Sequence, residues 1–230
     1  MVSLCVIVPI FNEEKFLVDS LKRIMDNDIY DQILLVDDCS TDDSSNIARN
    51  FASTYKKAKY LKTNVNSGKG AALAIASEEI TTTHLVIHDA DLEYYPSDIV
   101  EMFELAKLNQ NKLILGSRFI GNKNRENIYL RTFIANKIMS HFFSLINLYK
   151  VTDVATCYKL MPSKFFKKIS LKEKGFSIEI ELLSKFLKYN KAIVESPISY
   201  SGRSYEEGKK IKSIDGLFYL YNTIKYKFFN

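Results

Sequence analysis

With 230 residues, 47% of them hydrophobic and 26% charged, the chain has the size and composition of a globular protein with a substantial core. Its apolar runs fall short of the ~18–20 residues that a membrane-spanning helix needs, and Leu4–Ile10 is too short for a signal peptide. Three scattered cysteines without metal-binding spacing argue against a zinc site or a disulfide framework and favour a cytosolic protein.

The charge is unevenly distributed along the chain. Residues 1–149 carry 16 Lys and Arg against 19 Asp and Glu, a net charge of −3. Residues 150–230 carry 16 against 8, a net charge of +8, and the two parts together give the +5 of the whole chain. A basic C-terminal region favours an anionic partner such as a phosphate-bearing substrate, an anionic lipid or a nucleic acid. A solvated lysine-rich surface is the alternative.

The first half of the chain alternates between buried-strand and amphipathic-helix patterns. The predicted strands are Ser3–Pro9, Gln32–Val36, Lys59–Lys62, Leu85–His88 and Leu113–Gly116. The predicted helices are Glu13–Met25, Asp42–Tyr55, a Gly- and Ala-rich segment that ends at Ser77, and Pro96–Leu108. This β-α-β-α alternation predicts an α/β fold with a mostly parallel central sheet and helices on both faces.

After Gly121 the pattern changes. Residues 122–127 are polar and predict a loop. The segments that follow are predicted as a long apolar helix, a strand, a helix, a strand and an aromatic-rich helix: Ile128–Tyr149, Thr156–Met161, Gly175–Lys188, Ala192–Ile198 and Ser213–Phe229. We expect one domain over residues 1–212 and a C-terminal amphipathic helix over residues 213–230.

Three acids follow the predicted strand Leu85–His88 at alternate positions. Asp89, Ala90 and Asp91 form an Asp-Ala-Asp motif, and Glu93 lies two residues further on. Ligands of open α/β sheets bind beyond the carboxyl ends of the strands, and a divalent cation there would relieve the repulsion between the carboxylates. Carboxylate oxygens suit Mg²⁺ or Mn²⁺, which bind through one or two carboxylates together with substrate phosphates. A polar turn with helix-capping acids is the alternative.

The ends of the first two predicted strands also carry polar and acidic residues. Pro9 ends the first strand, and Asn12 and Glu13 follow it. Asp37 and Asp38 follow the second strand. An acid at either place suits a hydrogen bond from a nucleotide base or ribose, whereas helix capping explains the same pattern without a ligand.

Basic residues follow in later segments. The Gly-Lys-Gly sequence around Lys69 lacks the spacing of a P-loop and suits close approach of the backbone to a ligand or to the sheet. Arg118 follows the fifth predicted strand. Arg203, Lys209 and Lys210 lie within eight residues beside two glycines. Such a basic loop suits closure over a diphosphate, and a solvated loop is the alternative.

These motifs together resemble glycosyltransferase family 2, and within it the dolichyl-phosphate mannose or glucose synthase branch. The resemblance is carried by VPIFNEE, VDDCSTDDS, NSGKGAA, HDADLEY, GSRF, DVATCYK, GFSIEIEL and GRSYEEGKKI, which together extend over nearly the whole chain. It implies the Rossmann-like GT-A fold and a nucleotide-sugar donor. It also implies a hexosyltransferase that uses Mg²⁺ or Mn²⁺ and inverts the anomeric configuration.

The resemblance also assigns roles to individual residues. The family's metal motif falls on Asp89 and Asp91, with Glu93 as its neighbouring metal or phosphate contact. The nucleotide contacts fall on Pro9, Asn12, Glu13, Asp37 and Asp38. The phosphate and acceptor contacts fall on Arg118, Arg203 and Lys209, which together with Asp91 are the catalytic candidates. Further substrate-binding candidates are Lys69, Ala90, Lys210 and two residues in motifs of the branch, Asp153 and Glu179.

The acceptor that we expect is a polyprenyl phosphate. A hydroxyl acceptor needs a carboxylate base, whereas a phosphate monoester is already largely dianionic at neutral pH. The candidate bases Asp153, Glu179 and Glu181 lie in no evident base motif, which favours the phosphate. We expect a protein bound peripherally to the cytoplasmic face of the membrane, with helices Ile128–Tyr149 and Ser213–Phe229 in the lipid interface or packed in a core or dimer interface.

Other functions are compatible with the same sequence. One is transfer to a soluble saccharide. A second is a sugar nucleotidyltransferase, although such enzymes carry a Gly-rich basic loop after the first strand, where this chain has Pro-Ile-Phe-Asn-Glu. A third is an inactive nucleotide-sugar-binding subunit. A homodimer and a separate membrane subunit are both compatible partners, nucleic acid is not expected, and His88 is predicted to be a packed strand-end residue.

Overall fold

The computed structural model describes residues 1–127, 129–175, 177–190, 192–203 and 213–229. The strands within these ranges are β1 Leu4–Ile10, β2 Gln32–Asp37, β3 Ala58–Lys62, β4 His84–Ile87, β5 Leu113–Ser117, β6 Arg125–Glu126, β7 Lys159–Pro162, β8 Ile193–Pro197 and β9 Tyr200–Ser201. The helices are α1 Leu17–Met25, α2 Ser44–Thr54, α3 Lys69–Glu79, α4 Pro96–Leu108, α5 Leu130–Asn147, α6 Ser163–Phe166, α7 Ile178–Tyr189 and α8 Ser213–Phe228.

Over the described residues, seven strands form one sheet in the order β3-β2-β1-β4-β7-β5-β8, and β6 pairs with β9 in a small ribbon. The pairings of the large sheet are parallel except for those of β7, which runs antiparallel between β4 and β5. The predicted mostly parallel α/β sheet is therefore confirmed. Because β1, β2, β4 and β5 run in one direction, their carboxyl ends lie at one edge of the sheet, where ligands of such folds bind.

Alternate residues of β1 point into two separate cores, as strand geometry requires. Cys5 and Ile7 belong to a core with buried residues of α3 and α7, whereas Val6 and Val8 belong to a core with buried residues of α1 and α4. Helices therefore cover both faces of the sheet. This explains why its central strands are continuous apolar runs rather than alternating ones.

One predicted helix differs from the structure next to the site. The helix predicted over Glu13–Met25 begins only at Leu17, and Asn12 does not cap it. Asn12 lies in the left-handed region at a φ of 52°, and its Oδ1 accepts the main-chain N–H of Thr41 at 2.9 Å. Contacts with the loop between β2 and α2 thus override the local capping pattern.

The short elements after Gly121 also differ from the prediction. The strand predicted over Thr156–Met161 is β7, which begins three residues later, and the predicted loop 122–127 contains β6. The strand β9 was not predicted, because two residues carry no recognisable alternation. Its position matters, since it leads directly to Arg203.

The last helix, α8, packs against α5 and α7. Its Tyr219 and Tyr226 are buried, whereas Phe218 and Tyr221 are exposed on its outer side, so the helix is amphipathic. Among the described helices, none is both long enough and apolar enough to cross a membrane.

Candidate active site

A cavity of about 310 Å³ opens at the carboxyl edge of the sheet. It lies beyond the ends of β1 and β4, and its walls include residues of α3, α5, α7 and α8. Among the residues predicted from the sequence, those that line it are Pro9, Glu13, Asp38, Lys69, Asp89, Ala90, Asp91, Glu93, Arg118, Glu179 and Arg203. Those that lie away from it are Asn12, Asp37 and Asp153, whereas Lys209 and Lys210 lie outside the described residues.

Two basic side chains of the protein form ion pairs with the Asp-Ala-Asp motif. Asp89 Oδ1 lies 2.7 Å from Lys69 Nζ, and Asp91 Oδ2 lies 2.9 Å from Arg203 Nη2. Arg203 Nη1 also lies 3.1 Å from Glu13 Oε2, so this arginine links the acids that follow β1 and β4. The sequence predicted the acids and the basic residues separately, and the structure brings them into direct contact.

The two aspartates of the motif have opposite pKa shifts. Burial alone would raise the pKa of Asp89, but the neighbouring Lys69 lowers it below its ordinary value. The pKa of Asp91 is raised to about 7, first by burial and then by the negative charges of Glu93 and Asp89, which Arg203 offsets only in part. Asp91 is therefore the carboxylate that a further positive charge would stabilise most.

The chemistry of this donor set fits a hard divalent cation. Asp89 and Asp91 supply carboxylate oxygens at a strand end, and burial together with the negative charges of Glu93 and Asp89 raises the pKa of Asp91. Within the described ranges, however, no three His, Cys, Asp or Glu side chains surround one point where an ion could sit. Lys69 and Arg203 each contact one carboxylate oxygen of these two aspartates.

Glu93 has different contacts from those of the two aspartates. Its Oε1 accepts the main-chain N–H of Arg203 at 2.8 Å, and its Oε2 accepts the Tyr200 hydroxyl at 2.9 Å. Its carbonyl oxygen accepts the N–H of Ser201 at 2.9 Å. Glu93 thus holds β9 and the main chain that carries Arg203, and its role in metal binding stays a prediction.

A lysine that the sequence analysis did not single out lies beneath the cavity. Lys159 on β7 is fully buried, and its Nζ contacts one oxygen of Glu179. The other oxygen of Glu179 lies 2.8 Å from Lys69 Nζ, so charges of alternating sign lead from Lys159 to Asp89. The signal in the sequence is a lysine beside an apolar strand pattern, because a buried lysine needs a charged partner.

The two aspartates after β2 lie in different surroundings. Asp38 lines the cavity and accepts the N–H groups of Ser67 at 3.0 Å and Gly68 at 2.6 Å, so it shapes the turn before α3. Asp37 is buried outside the cavity lining and accepts the Tyr60 hydroxyl at 2.8 Å. Burial would raise the pKa of Asp37, but the hydrogen bonds that it accepts lower it below its ordinary value.

Arg118 and Asp153 form a buried bidentate ion pair. Arg118 Nε and Nη2 lie 2.7 and 2.8 Å from the two carboxylate oxygens of Asp153, which is fully buried. The guanidinium lies 4.9 Å from the centre of the Tyr200 ring. Arg118 also lines the cavity beside Thr132 and Asn136. The arginine is thus at the cavity wall and its counter-ion lies behind it.

The three candidate bases are all engaged by other groups. Asp153 pairs with Arg118 and does not line the cavity. Glu181 is fully buried and accepts main-chain N–H groups of residues 172 and 173. Glu179 lines the cavity, but two lysines contact its carboxylate.

The prediction that His88 is a packed residue is confirmed. Its Nε2 lies 3.2 Å from Ser20 Oγ and its Nδ1 lies 3.0 Å from the Tyr158 hydroxyl, in a buried position directly after β4. Burial is the main reason that the pKa of His88 is lowered to about 4. The histidine is therefore neutral in the folded protein at physiological pH.

We expect the stability of the metal-free protein to fall as the pH drops from about 6.5 toward 4, in part because of His88. The unfolded chain binds this proton near the ordinary pKa of about 6.5 and the folded one only near 4, so up to about 1.4 kcal/mol is lost per pH unit. Urea unfolding in EDTA at pH 7.5, 6 and 5 measures this. His88→Gln should show a shallower decline, because other titrating groups are common to both proteins. If the free energy of unfolding falls equally steeply with pH in both proteins, His88 does not contribute to the decline.

The chain is similar in sequence to the proteins of one family. The family model described as glycosyl transferase family 2 matches residues 5–170. The dolichol-phosphate mannosyltransferase of Pyrococcus furiosus is 28% identical over 229 residues, which cover 96% of this chain and 64% of that protein. The chain thus spans less than two thirds of this relative.

A second relative matches over nearly its full length. The UDP-N-acetylglucosamine–dolichyl-phosphate N-acetylglucosaminyltransferase of Methanococcus voltae is 25% identical over 232 residues, which cover 93% of this chain and 92% of that protein. A solved structure of glucosyl-3-phosphoglycerate synthase from Mycobacterium tuberculosis, in complex with Mn²⁺, UDP and glucosyl-3-phosphoglycerate, superimposes with a TM-score of 0.73. It is 17% identical, and the match covers 98% of this chain and 79% of that one, so it shows the fold.

Proposed function

The chain belongs to glycosyl transferase family 2 and has the GT-A fold, and we propose that it transfers a hexose from UDP-glucose or GDP-mannose to a polyprenyl phosphate with inversion. The observation that carries the proposal is the meeting of Asp89 and Asp91 with Lys69 and Arg203 in one cavity at the carboxyl edge of the sheet. Adjacent carboxylates and basic groups provide for a metal ion and a diphosphate at the same place.

Each charged group has a separate part in this reaction. Asp89 and Asp91 would hold Mg²⁺ or Mn²⁺, which when bound neutralises charge that develops on the leaving diphosphate. Lys69 and Arg203 would then donate to the phosphate oxygens instead of to these aspartates. Each keeps a second carboxylate partner, Glu179 at 2.8 Å and Glu13 at 3.1 Å respectively, which limits how far the basic side chain moves.

The contacts of the candidate bases support a phosphate acceptor. A hydroxyl must lose its proton to a base, whereas a phosphate monoester needs none at neutral pH. Glu179, the candidate base that lines the cavity, has each of its two carboxylate oxygens paired with a lysine. Arg118 lies with Thr132 and Asn136 in a smaller adjoining pocket and is placed to contact an acceptor phosphate. The two relatives are a dolichol-phosphate mannosyltransferase and a dolichyl-phosphate N-acetylglucosaminyltransferase, which supports the same acceptor.

An exposed apolar surface next to the cavity supports a lipid acceptor. The helices α5 and α8 each contribute residues to the cavity wall and expose large apolar side chains on their outer sides. We call these side chains the lipid face: Leu130, Ile134, Ile138, Leu145, Leu217, Phe218, Tyr221, Ile224 and Phe228. Amphipathic helices of this kind lie in the membrane interface, and we infer that the lipid face rests on the cytoplasmic leaflet.

The reaction is tested by its products. The purified protein is supplied with UDP-glucose or GDP-mannose, Mn²⁺ and dolichyl or undecaprenyl phosphate in detergent. Nucleoside diphosphate and a glycosylated lipid phosphate are expected. Transfer to soluble saccharides but not to lipid would contradict the acceptor, and pyrophosphate release from a nucleoside triphosphate and a sugar phosphate would indicate a nucleotidyltransferase. Donor binding without turnover of any acceptor or of the donor itself would indicate a binding subunit.

Charges placed in the lipid face should weaken membrane binding. We expect the double variant Ile138→Glu/Phe218→Glu to bind phosphatidylglycerol vesicles at least about tenfold more weakly, because burying each apolar side chain contributes about 1.5–3 kcal/mol. Vesicle co-sedimentation measures the binding. Val18→Glu is the matched control, since Val18 on α1 is 59% exposed, as Ile138 and Phe218 are at 58% and 53%. Equal losses in the control would refute a specific lipid face.

A further inference from the structure

One glutamate accepts hydrogen bonds from three residues of α8, the helix that also packs against α5 and α7. Glu173 Oε1 lies 2.7 Å from Lys225 Nζ and accepts the Tyr226 hydroxyl at 2.8 Å, and Glu173 Oε2 accepts Asn222 Nδ2 at 3.4 Å. Burial alone would raise the pKa of Glu173, but these hydrogen bonds lower it, so the side chain is a carboxylate at neutral pH. All three partners lie on α8.

The main chain around Glu173 is fixed from another direction. The N–H of Glu173 donates to Glu181 Oε2 at 2.8 Å, and the N–H of Lys172 donates to Glu181 Oε1 at 2.9 Å. Glu181 is fully buried on α7. The segment 172–175 is thus held between two helices, α7 and α8.

The other side of this segment presses against the turn that opens α3. The N–H of Gly70 donates to the carbonyl oxygen of Lys174 at 3.1 Å. A Cβ atom at Gly70 would lie 1.8 Å from the carbonyl oxygen of Glu173, and one at Gly68 would lie 2.3 Å from that of Lys174. Glycine is therefore required at both places, and any shift of the segment 172–175 must move the turn or break the contact.

The same turn carries donor-site residues. The N–H of Gly68 donates to Asp38, and Lys69 pairs with Asp89. Lys174 and Gly68 themselves line the cavity, as does Tyr219 of α8. Three contacts therefore connect α8 with the Asp-Ala-Asp motif: α8 with Glu173, Lys174 with Gly70, and Lys69 with Asp89.

We propose that Glu173 is a positioning residue for the donor: it fastens α8 to the segment 172–175 and thereby holds the turn 66–70, which carries Lys69 and binds Asp38, at the wall of the cavity. This rests on the proposed function for the identity of the ligand. The ion pair and the hydrogen bonds of Glu173 hold the turn in place before the donor arrives. Without them the donor itself must order the turn, so donor affinity falls while the reacting groups stay unchanged.

Glu173→Ala tests the proposal in two ways. The first test uses ligands. Calorimetry measures the affinity for UDP and GDP in the presence of Mn²⁺, and the transfer assay measures the KM for the donor. We expect the nucleotide affinity to fall and the KM for the donor to rise, each about tenfold. The kcat at saturating donor should change by less than twofold. Glu173→Gln should recover part of the affinity, because its carbonyl oxygen still accepts from Tyr226. Glu104→Ala, which removes an exposed glutamate paired with Lys107 on α4, is the matched control.

The second measurement needs no ligand. Amide hydrogen exchange of the free protein should be faster over residues 67–71 in Glu173→Ala and in Tyr226→Phe, but not in Glu104→Ala. Unchanged exchange over this turn overturns the proposal, as does a lower melting temperature with unchanged nucleotide affinity. If the exchange increases while no variant or wild-type protein binds a nucleotide, the positioning role stands and the proposed donor is wrong.

Discussion

We expect Asp91→Asn to lower the rate of hexose transfer by about 10³-fold or more. A bound metal ion contributes several kcal/mol of charge stabilisation in the transition state, and each 1.4 kcal/mol corresponds to a factor of ten. Asparagine keeps the shape of the side chain and loses the charge that would hold the ion. Initial rates at saturating Mn²⁺ measure the effect, with Asp28→Asn at a fully exposed position as the control. Retention of more than a tenth of the wild-type rate would rule out Asp91 as a metal ligand.

The same variant should be more stable than the wild type in EDTA at pH 8. The pKa of Asp91 is about 7 in the folded protein, above its ordinary value of 3.8, so the folded state holds this proton more tightly than the unfolded one. The wild type therefore loses stability as the pH rises from the lower of these two pKa values through the higher one, whereas the asparagine of the variant does not titrate. Urea unfolding at pH 8 should show a higher midpoint for the variant. A lower midpoint would mean that the Arg203 contact outweighs the repulsion among the acids.

The expected loss of activity and the expected gain in stability in Asp91→Asn have the same origin, the negative charge of the acid cluster. Three acids at the end of β4 repel one another, and the folded protein offsets this repulsion with Lys69 and Arg203. Sites that bind charged ligands commonly reduce stability in the absence of the ligand. We therefore expect the cluster to lower the stability of the free protein and the donor complex to remove this effect.

The sequence predicted the parts of the site that depend on local pattern. The apolar runs of β1, β2 and β4 are each followed by acids, and parallel strands bring those acids to one edge of the sheet. Asp38, Asp89 and Asp91 could therefore be placed together without coordinates. The alternating pattern of strands and helices similarly sufficed for the fold class.

What the sequence did not predict depends on contacts between distant segments. Arg203 reaches Asp91 across 112 positions, because β9 returns to the end of β4, where Glu93 holds it. Lys159 is hidden in the short antiparallel strand β7, whose insertion between β4 and β5 no local pattern reveals. Asp37 is also an aspartate and is adjacent to Asp38 in the sequence, but its carboxylate accepts the hydroxyl of Tyr60 from the next strand.

Asp153→Ala is expected to reduce the free energy of unfolding by about 3–5 kcal/mol. The substitution leaves the buried guanidinium of Arg118 without its bidentate partner, and an uncompensated buried charge is strongly destabilising. Urea unfolding measures the change. Glu104→Ala breaks an exposed ion pair and should cost no more than about 1 kcal/mol. A loss below about 1 kcal/mol in Asp153→Ala would mean that water or another group satisfies Arg118.

A double variant separates the stability of this pair from the role of Arg118 toward substrate. Replacing both members of a buried ion pair by apolar residues of similar volume is often neutral or stabilising, so Arg118→Met/Asp153→Leu should recover much of the stability lost in Asp153→Ala. If Arg118 contacts the acceptor phosphate, the double variant stays folded, binds the donor normally and has a KM for the lipid phosphate raised at least about tenfold, since hydrogen bonds to charged groups contribute about 1.5–3 kcal/mol. A stable double variant with a normal acceptor KM would show that Arg118 serves only the fold.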